Sequence, residues 1–255
     1  MLQGTLPEIL SQLAPMISDQ PRRVAGEMLL QGRPFRYADL HSFYHQAVQI
    51  FAKQLYDFES STDTPLILDC GAHIGLASLY FATRYPGARI VSFEADPRIA
   101  DMLAFNIRSF GIDAAVRAEG KAVWIDADGA PFSFTSDDAG HVSATAEALV
   151  PTVRLRDLID GQDVELLKLD VEGSEFALLH DCDGALGGVS KMIVEVHRFR
   201  DEDGKLGSLL NILERNGFRY VLSDLHHAGW MKTGIKPPFA ECPTDRYIVS
   251  VFAWR

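Results

Sequence analysis

LILDCGAHIG, residues 66–75, and RIVSFEADP, residues 89–97, are the segments that decide the fold. Leu66-Ile67-Leu68 is a short continuous apolar run, as expected of a strand buried on both faces. It ends in Asp69, after which Gly71 and Gly75 open a helix running to Tyr85. Glycines permit the tight turn and let a ligand approach the backbone. Arg89 to Phe93 is a second strand, and Glu94 ends it about twenty residues after the turn, the spacing from which a carboxylate accepts both hydroxyls of a ribose. Asp96 caps and Pro97 opens the next helix, with Ile99, Met102, Leu103 and Ile107 inside and Gly111 as its stop. His73 stands where many nucleotide-binding loops carry a middle glycine, so GxGxxG is absent. Asp69 would repel a phosphate and suits a cationic group such as the amino group of an amino acid, which argues against a nucleotide-dependent dehydrogenase.

The alternation continues downstream. A third strand is expected at Ala114–Arg117. Residues 120–155 are less regular, with strands near Ala122–Ile125 and Phe132–Thr135 and a polar loop at Asp137–Gly140. Val164–Leu169 is another buried strand, followed by a short helix from Ser174, and Lys191–Val196 is the next. Gly204–Asn216 forms a helix with Leu206, Leu209, Leu210 and Leu213 on one face and Gly217 as its stop. Phe218–Leu222 and Tyr247–Phe252 are the last strands. Strands alternating with helices predict an α/β fold with a doubly wound, mostly parallel sheet, and the two late strands suit an antiparallel edge.

Upstream, residues 1–64 differ in pattern. Leu6, Ile9, Leu10, Leu13 and Ile17 recur at helical spacing up to a break at Pro15. Residues 26–39 predict a hairpin turning at Gln31–Pro34. Asp39 caps a helix whose apolar face is Leu40, Phe43, Tyr44, Ala47, Val48, Phe51 and Leu55. After a turn-rich linker at residues 60–65, the division is a helical and hairpin extension (1–64), serving as a lid or dimer contact, and a main domain (65–255).

The length of 255 residues suits one or two domains. Lys and Arg number 24 against 35 Asp and Glu, a net charge of −11, which disfavours nucleic acid and anionic membrane as partners. Cys70, Cys182 and Cys242 have neither disulfide-framework nor zinc-ligand spacing, so a reduced, cytoplasmic setting is expected. There is no basic n-region at the amino terminus and no apolar run of the ~20 residues a membrane span needs.

Two further segments carry chemistry: LLKLDVEGSE, residues 166–175, and MIVEVHRF, residues 192–199. Asp170 and Glu172 lie at the mouth of a buried strand before a glycine turn. Glu172 either points into a site or caps the following helix. Glu195 and His197 share one face of a strand end, because strand side chains repeat with period two, and a carboxylate beside an imidazole orients it and raises its basicity. Each of these residues alone suits a structural role. Together, at the ends of neighbouring strands, they favour a site. His226 and His227 are placed in a loop with Gly229 and Trp230, as exposed polarity or a second acid–base group. His141 has the same two readings, and His41 and His45 are surface or partly packed residues of the amino-terminal helix.

The set DCGAHIG, FEADP, GKAVWIDADG, KLDVEGSE and IVEVH, in that order from about Pro65 to Phe199, closely resembles the FkbM family of S-adenosylmethionine-dependent methyltransferases. One departure is His73, where the family loop more often has Asn. The resemblance implies a Rossmann-like class I fold with a seven-stranded sheet and S-adenosylmethionine as cofactor. It implies that Asp69 and the backbone of Gly71, Ala72, His73 and Gly75 hold the methionine end, that Glu94 takes the ribose, that Ala122 and Val123 lie beside the adenine, and that Asp170 sits between cofactor and substrate. The expected activity is O-methylation of a hydroxyl on a small-molecule natural product or sugar, with a homodimer as the assembly to consider. The alternatives are N-methylation and a catalytically silent binding protein.

Methyl transfer needs the nucleophile held in line at near-attack distance. An aliphatic hydroxyl is also about as weak an acid as water, with a pKa of roughly 15.7. His197 is the expected base, with Glu195 orienting it. Alternatively Asp170, Glu195 and His197 hold a divalent cation such as Mg²⁺ that binds the substrate hydroxyl.

Overall fold

The computed structural model describes residues 6–15, 17–133, 141–142, 148–198, 204–227 and 247–255. The chain begins with α1 (Leu6–Leu13), the hairpin β1 (Gly26–Leu30) and β2 (Arg33–Tyr37), and α2 (Leu40–Ala47), which runs on as one π-helical turn over Val48–Ala52. Next come β3 (Leu66–Cys70), α3 (Leu76–Arg84), β4 (Arg89–Phe93), α4 (Pro97–Phe110) and β5 (Val116–Glu119). Five short strands follow: β6 (Ala122–Trp124), β7 (Ala130–Ser133), β8 (His141–Val142), β9 (Ala148–Val150) and β10 (Thr152–Arg154). The chain closes with α5 (Leu155–Ile159), β11 (Val164–Leu169), α6 (Glu175–Asp181), β12 (Val189–Arg198), α7 (Leu206–Arg215), β13 (Arg219–His227) and β14 (Tyr247–Trp254).

The main sheet has seven strands in the order β13-β14-β12-β11-β3-β4-β5. β11 is parallel to β3 and β12, and β3, β4 and β5 are parallel in turn. β14 runs antiparallel to both its neighbours, so the reversed strand lies one place in from the edge and β13 forms the edge. Two cores cover the two faces. Ile67 and Ile90 point to one, with α3 and α4, while Leu66, Leu68 and Phe93 point to the other, with α5, α6 and α7, as the period-two alternation of strands demands.

Several boundaries differ from those expected. β5 starts at Val116 because the Ile112 carbonyl still accepts from the Ala115 and Val116 amides, keeping the chain in a turn after α4. β12 extends to Arg198 because β14 pairs with it as far as Arg198–Tyr247. His226 and His227 belong to β13 rather than a loop, pairing with Ile248 and Tyr247 after a register shift beyond Ser223. The helix α5 carried no periodicity long enough to be read. Asp137–Gly140, Gly229, Trp230 and Cys242 lie outside the described residues.

The hairpin turns at Gln31 and Gly32, both with positive φ, as a two-residue primed turn requires. Asp39 caps α2 by accepting from the Ser42 amide at 2.8 Å. The amino-terminal segment shares its core with the sheet: Leu10, Leu13, Leu30, Phe35, Phe43 and Tyr56 pack in the cluster that holds Ile67, Leu76 and Leu103. Asn106 of α4 fixes the hairpin to the β3–α3 turn. Its Oδ1 accepts from the Arg36 amide at 2.7 Å, and its Nδ2 donates to the carbonyls of Arg36 (2.9 Å) and Ile74 (2.8 Å).

Candidate active site

In an open α/β sheet a ligand binds outside the carboxyl ends of the strands, where the strand order reverses. Here that point lies between β3 and β11, and a cavity of ≈ 270 Å³ occupies it. The turn after β3 forms its floor. Gly71 has φ +79°, and a Cβ there would stand 1.8 Å from the Asp170 carbonyl oxygen, so only glycine lets this turn lie against the end of β11. His73 also has positive φ, +49°, a conformation in which His, Asn and Asp are enriched among side-chain-bearing residues. This backbone directs the His73 amide at Glu94 Oε2 (2.9 Å), while the Asp96 amide takes Glu94 Oε1 (2.9 Å). Enclosure in the cavity wall pushes the Glu94 carboxyl up to about 7, against the pull of those two hydrogen bonds. Beyond Glu94 the wall is apolar: Ile99, Ala122, Val123, Phe132 and Val142. The last two come from β7 and β8, which pack with Ala122 and Val150 in a small separate core.

The structure divides the expected cofactor residues. Gly71, Ala72, His73, Glu94, Ala122, Val123 and Asp170 all line the cavity. Asp69 and Gly75 lie beneath it. Asp69 is fully buried, with Oδ2 accepting from Ser78 Oγ at 2.9 Å and Oδ1 3.3 Å from Lys168 Nζ. Gly75 caps α3 with φ +90°, and Leu103 packs against its open side.

Lys168 ties the floor together. Its ammonium, 3% exposed, donates to the Gly71 carbonyl at 2.9 Å and lies 3.3 Å from both Asp69 and Asp170. Burial opposes its charge, but Asp170 and Asp69 outweigh burial and hold its pKa well above the usual lysine value.

At the far end stand Asp170, Glu172 and Glu195, all lining the cavity. His197 lies behind them, 3% exposed. Its Nδ1 is 3.1 Å from Glu175 Oε1, and its Nε2 is 3.6 Å from Glu172 and 3.7 Å from Glu195. Glu175 is itself oriented by the Val171 and Gly173 amides, at 3.1 Å and 3.1–3.2 Å. Burial disfavours a charged imidazole, but Glu175, Glu172 and Asp170 reverse this and raise the His197 pKa well above 6.5. The raised pKa favours the protonated ring, and His197 is set behind the carboxylates that line the cavity. The Asp170 charge and then burial push Glu195 up to about 7, with His197 and Lys168 opposing. Glu172 adopts φ +54° and points into the site, while Glu175 takes the amides at the start of α6. The donor atoms of Asp170, Glu172 and His197 lie within 4.8 Å of one another, so Glu172 stands where sequence reasoning put Glu195 in a metal trio.

Sequence reasoning did not single out Lys168, Glu175, Gln46, Gln49 or Tyr56. A lysine inside the apolar run LLKL was a signal for the first, since a charge in a strand buried on both faces needs partners. Gln46, Gln49 and Tyr56 line the cavity from the amino-terminal segment, and nothing local marks them. Their placement depends on α2 packing beside the β3–α3 turn, where Gln46 Oε1 meets His73 Nδ1 at 3.0 Å.

Comparison with known proteins bears on the family and the fold. The family model described as the methyltransferase FkbM domain matches residues 69–220. Among curated proteins, the chain is 30% identical over 218 residues to the AMB antimetabolite synthetase AmbE of Pseudomonas aeruginosa, spanning 67% of this chain and 10% of that much longer protein. It is 27% identical over 173 residues to methyltransferase sdnD of Sordaria araneosa, covering 53% of this chain and 67% of sdnD. Among solved structures, the FkbM methyltransferase of Methylobacillus flagellatus shares the fold at a TM-score of 0.52 and 21% identity, over 79% of this chain and 46% of that one. The sheet order, the glycine turn, the carboxylate at the end of β4 and the family match agree: the chain belongs to the FkbM methyltransferase domain family.

Proposed function

We propose that the protein is an S-adenosylmethionine-dependent O-methyltransferase acting on a hydroxyl of a small-molecule natural product or sugar. The residues present fit that cofactor. A carboxylate held by two backbone amides faces the cavity at Glu94, an apolar slot for a base lies beyond it, and the missing Cβ of Gly71 leaves the floor open to close approach. When bound, the cofactor supplies an electrophilic methyl on a sulfonium. The relative whose name specifies an antimetabolite synthetase supports a natural-product acceptor.

The observation that carries the reading is Glu195, a carboxylate in the cavity whose pKa of about 7 matches the task of a general base at neutral pH. Glu195 would take the proton of the acceptor hydroxyl as its oxygen bonds the methyl carbon and the sulfonium S–C bond breaks, leaving S-adenosylhomocysteine. Asp170, braced by Lys168, orients the hydroxyl and repels the ionised form of Glu195, which raises its basicity. His197 is a positioning residue: its imidazolium, fixed by Glu175, sits between Glu172 and Glu195 and keeps the carboxylates from driving one another apart. The acidic lining disfavours anionic acceptors.

The test is release of S-adenosylhomocysteine over a panel of neutral hydroxylated compounds and their amine analogues. Turnover of hydroxyl compounds, reduced roughly 10²–10⁴-fold in Glu195→Gln, is expected. Turnover of amines alone, insensitive to Glu195, would replace this reading with N-methylation. No turnover, despite cofactor binding, would favour a silent binding protein.

A second reading rests on the Asp170, Glu172 and His197 donor atoms. A divalent cation there would require a neutral His197 and would lower the pKa of a bound hydroxyl. Loss of turnover in EDTA, restored by Mg²⁺, would select it, and EDTA-insensitive turnover is the result the Glu195 mechanism requires.

A further inference from the structure

A partly buried amide in the amino-terminal wall has no assigned role. Gln49 lines the cavity from the π-helical turn that extends α2, and such turns occur often at functional sites. Its Oε1 is buried and has no hydrogen-bond partner among the described residues. Leaving a buried acceptor unsatisfied is costly, so a ligand group that fills it gains against an unmet demand.

The position along the cavity identifies the group. The apolar wall of Ala122, Val123 and Phe132 lies at one end, and Glu94 comes next. The Glu94 carboxylate binds the His73 amide, and the His73 ring meets Gln46. Gln49 is three residues beyond Gln46 and lines the same cavity from the amino-terminal segment. A cofactor laid with its adenine on that wall and its ribose on Glu94 brings its amino-acid end to this amide. Asp69, the carboxylate at the end of β3, is fully buried beside Ser78 and Lys168 and is not among the residues that line the cavity.

We propose that Gln49 Oε1 accepts a hydrogen bond from the α-ammonium of the cofactor's methionine end, so that the amino-terminal segment, and not Asp69, completes the cofactor site. This rests on the cofactor reading above. It also gives the segment before the sheet a binding role, since ordering of residues 45–56 and cofactor affinity become linked.

The test truncates both partners. Wild-type protein and Gln49→Met, which keeps the side-chain length, are titrated calorimetrically with S-adenosylhomocysteine and with 5′-methylthioadenosine, which lacks the amino-acid end. Gln49→Met is expected to weaken S-adenosylhomocysteine roughly tenfold and to leave methylthioadenosine within twofold. Gln49→Glu, which keeps an acceptor oxygen, is expected to retain S-adenosylhomocysteine binding. Unchanged S-adenosylhomocysteine affinity in Gln49→Met would overturn the assignment, and so would an equal loss for both compounds, which marks collapse of the pocket. Failure of the wild-type protein to bind either compound would instead remove the cofactor reading itself, and this inference with it.

Discussion

The two ends of the cavity are built from the same kinds of side chain by different means. At the β4 end Glu94 is held by backbone amides from residues close by in the chain or in the turn it faces. At the β11–β12 end Asp170, Glu172, Glu195 and His197 are held by one another and by the buried partners Lys168 and Glu175. The first arrangement fixes a carboxylate as an acceptor of hydroxyl groups. The second couples the charges, so that proton affinity at one position depends on all the others. That contrast suits a binding end and a reacting end of one cavity.

The sharpest way to break the contrast is Glu195→Gln, which should lower methyl transfer by roughly 10²–10⁴-fold and leave S-adenosylhomocysteine affinity unchanged, as read by single-turnover kinetics and calorimetry. A parallel loss of cofactor affinity would mean that the two ends are not separate. Lys168→Met comes next. It leaves Asp69 and Asp170 without their shared cation and should cost about 3–5 kcal/mol of stability, measured by urea denaturation. A cost below ~1 kcal/mol would show that the floor does not depend on that ion pair.

The binding end has its own signature. Glu94 accepts hydroxyls best when ionised, so cofactor affinity should fall several-fold as the pH drops through about 7, and Glu94→Gln should flatten that dependence.

The smallest effect serves as a control outside both ends. Burial of Asp39 would raise its pKa, but hydrogen bonds from the Arg23 and Ser42 amides and from Arg22 overcome this and lower it to about 2. A depressed carboxylate pKa contributes stability that is fully present above the unfolded value of about 4 and is lost as the pH falls through the folded value of about 2. Asp39→Ala should therefore cost about 1 kcal/mol at pH 7 and progressively less as the pH falls through about 2, with no change in cofactor affinity at neutral pH.

The same contrast explains what the sequence revealed. Leu66–Leu68, the glycine turn, Glu94 and the Asp96–Pro97 cap were legible because short-range rules govern them: strand burial, turn conformation and helix capping. Asp170, Glu195 and His197 were legible as neighbours, since adjacent strand ends converge, but their roles were not. His197 is set behind the wall by the approach of Glu175 from α6, which also raises its pKa, and nothing in its own segment marks that contact. Glu172 entering the site in place of a helix cap follows from the Glu175 side chain taking the amides first. Asp69 ends a strand, which is legible, but its burial beside the Ser78 hydroxyl nine residues on and Lys168 on the adjacent strand β11 is not. Gln46 and Gln49 gave no signal, because their importance comes from the packing of α2 against a turn far along the chain.

The central claim is that this cavity binds S-adenosylmethionine through Glu94. Isothermal titration of the purified protein with S-adenosylmethionine and S-adenosylhomocysteine, in the wild type and in Glu94→Ala, tests it most directly. The account predicts saturable one-site binding of both compounds, weakened about a hundredfold by the loss of two charge-assisted hydrogen bonds. No binding of either compound, or binding indifferent to Glu94, would contradict it.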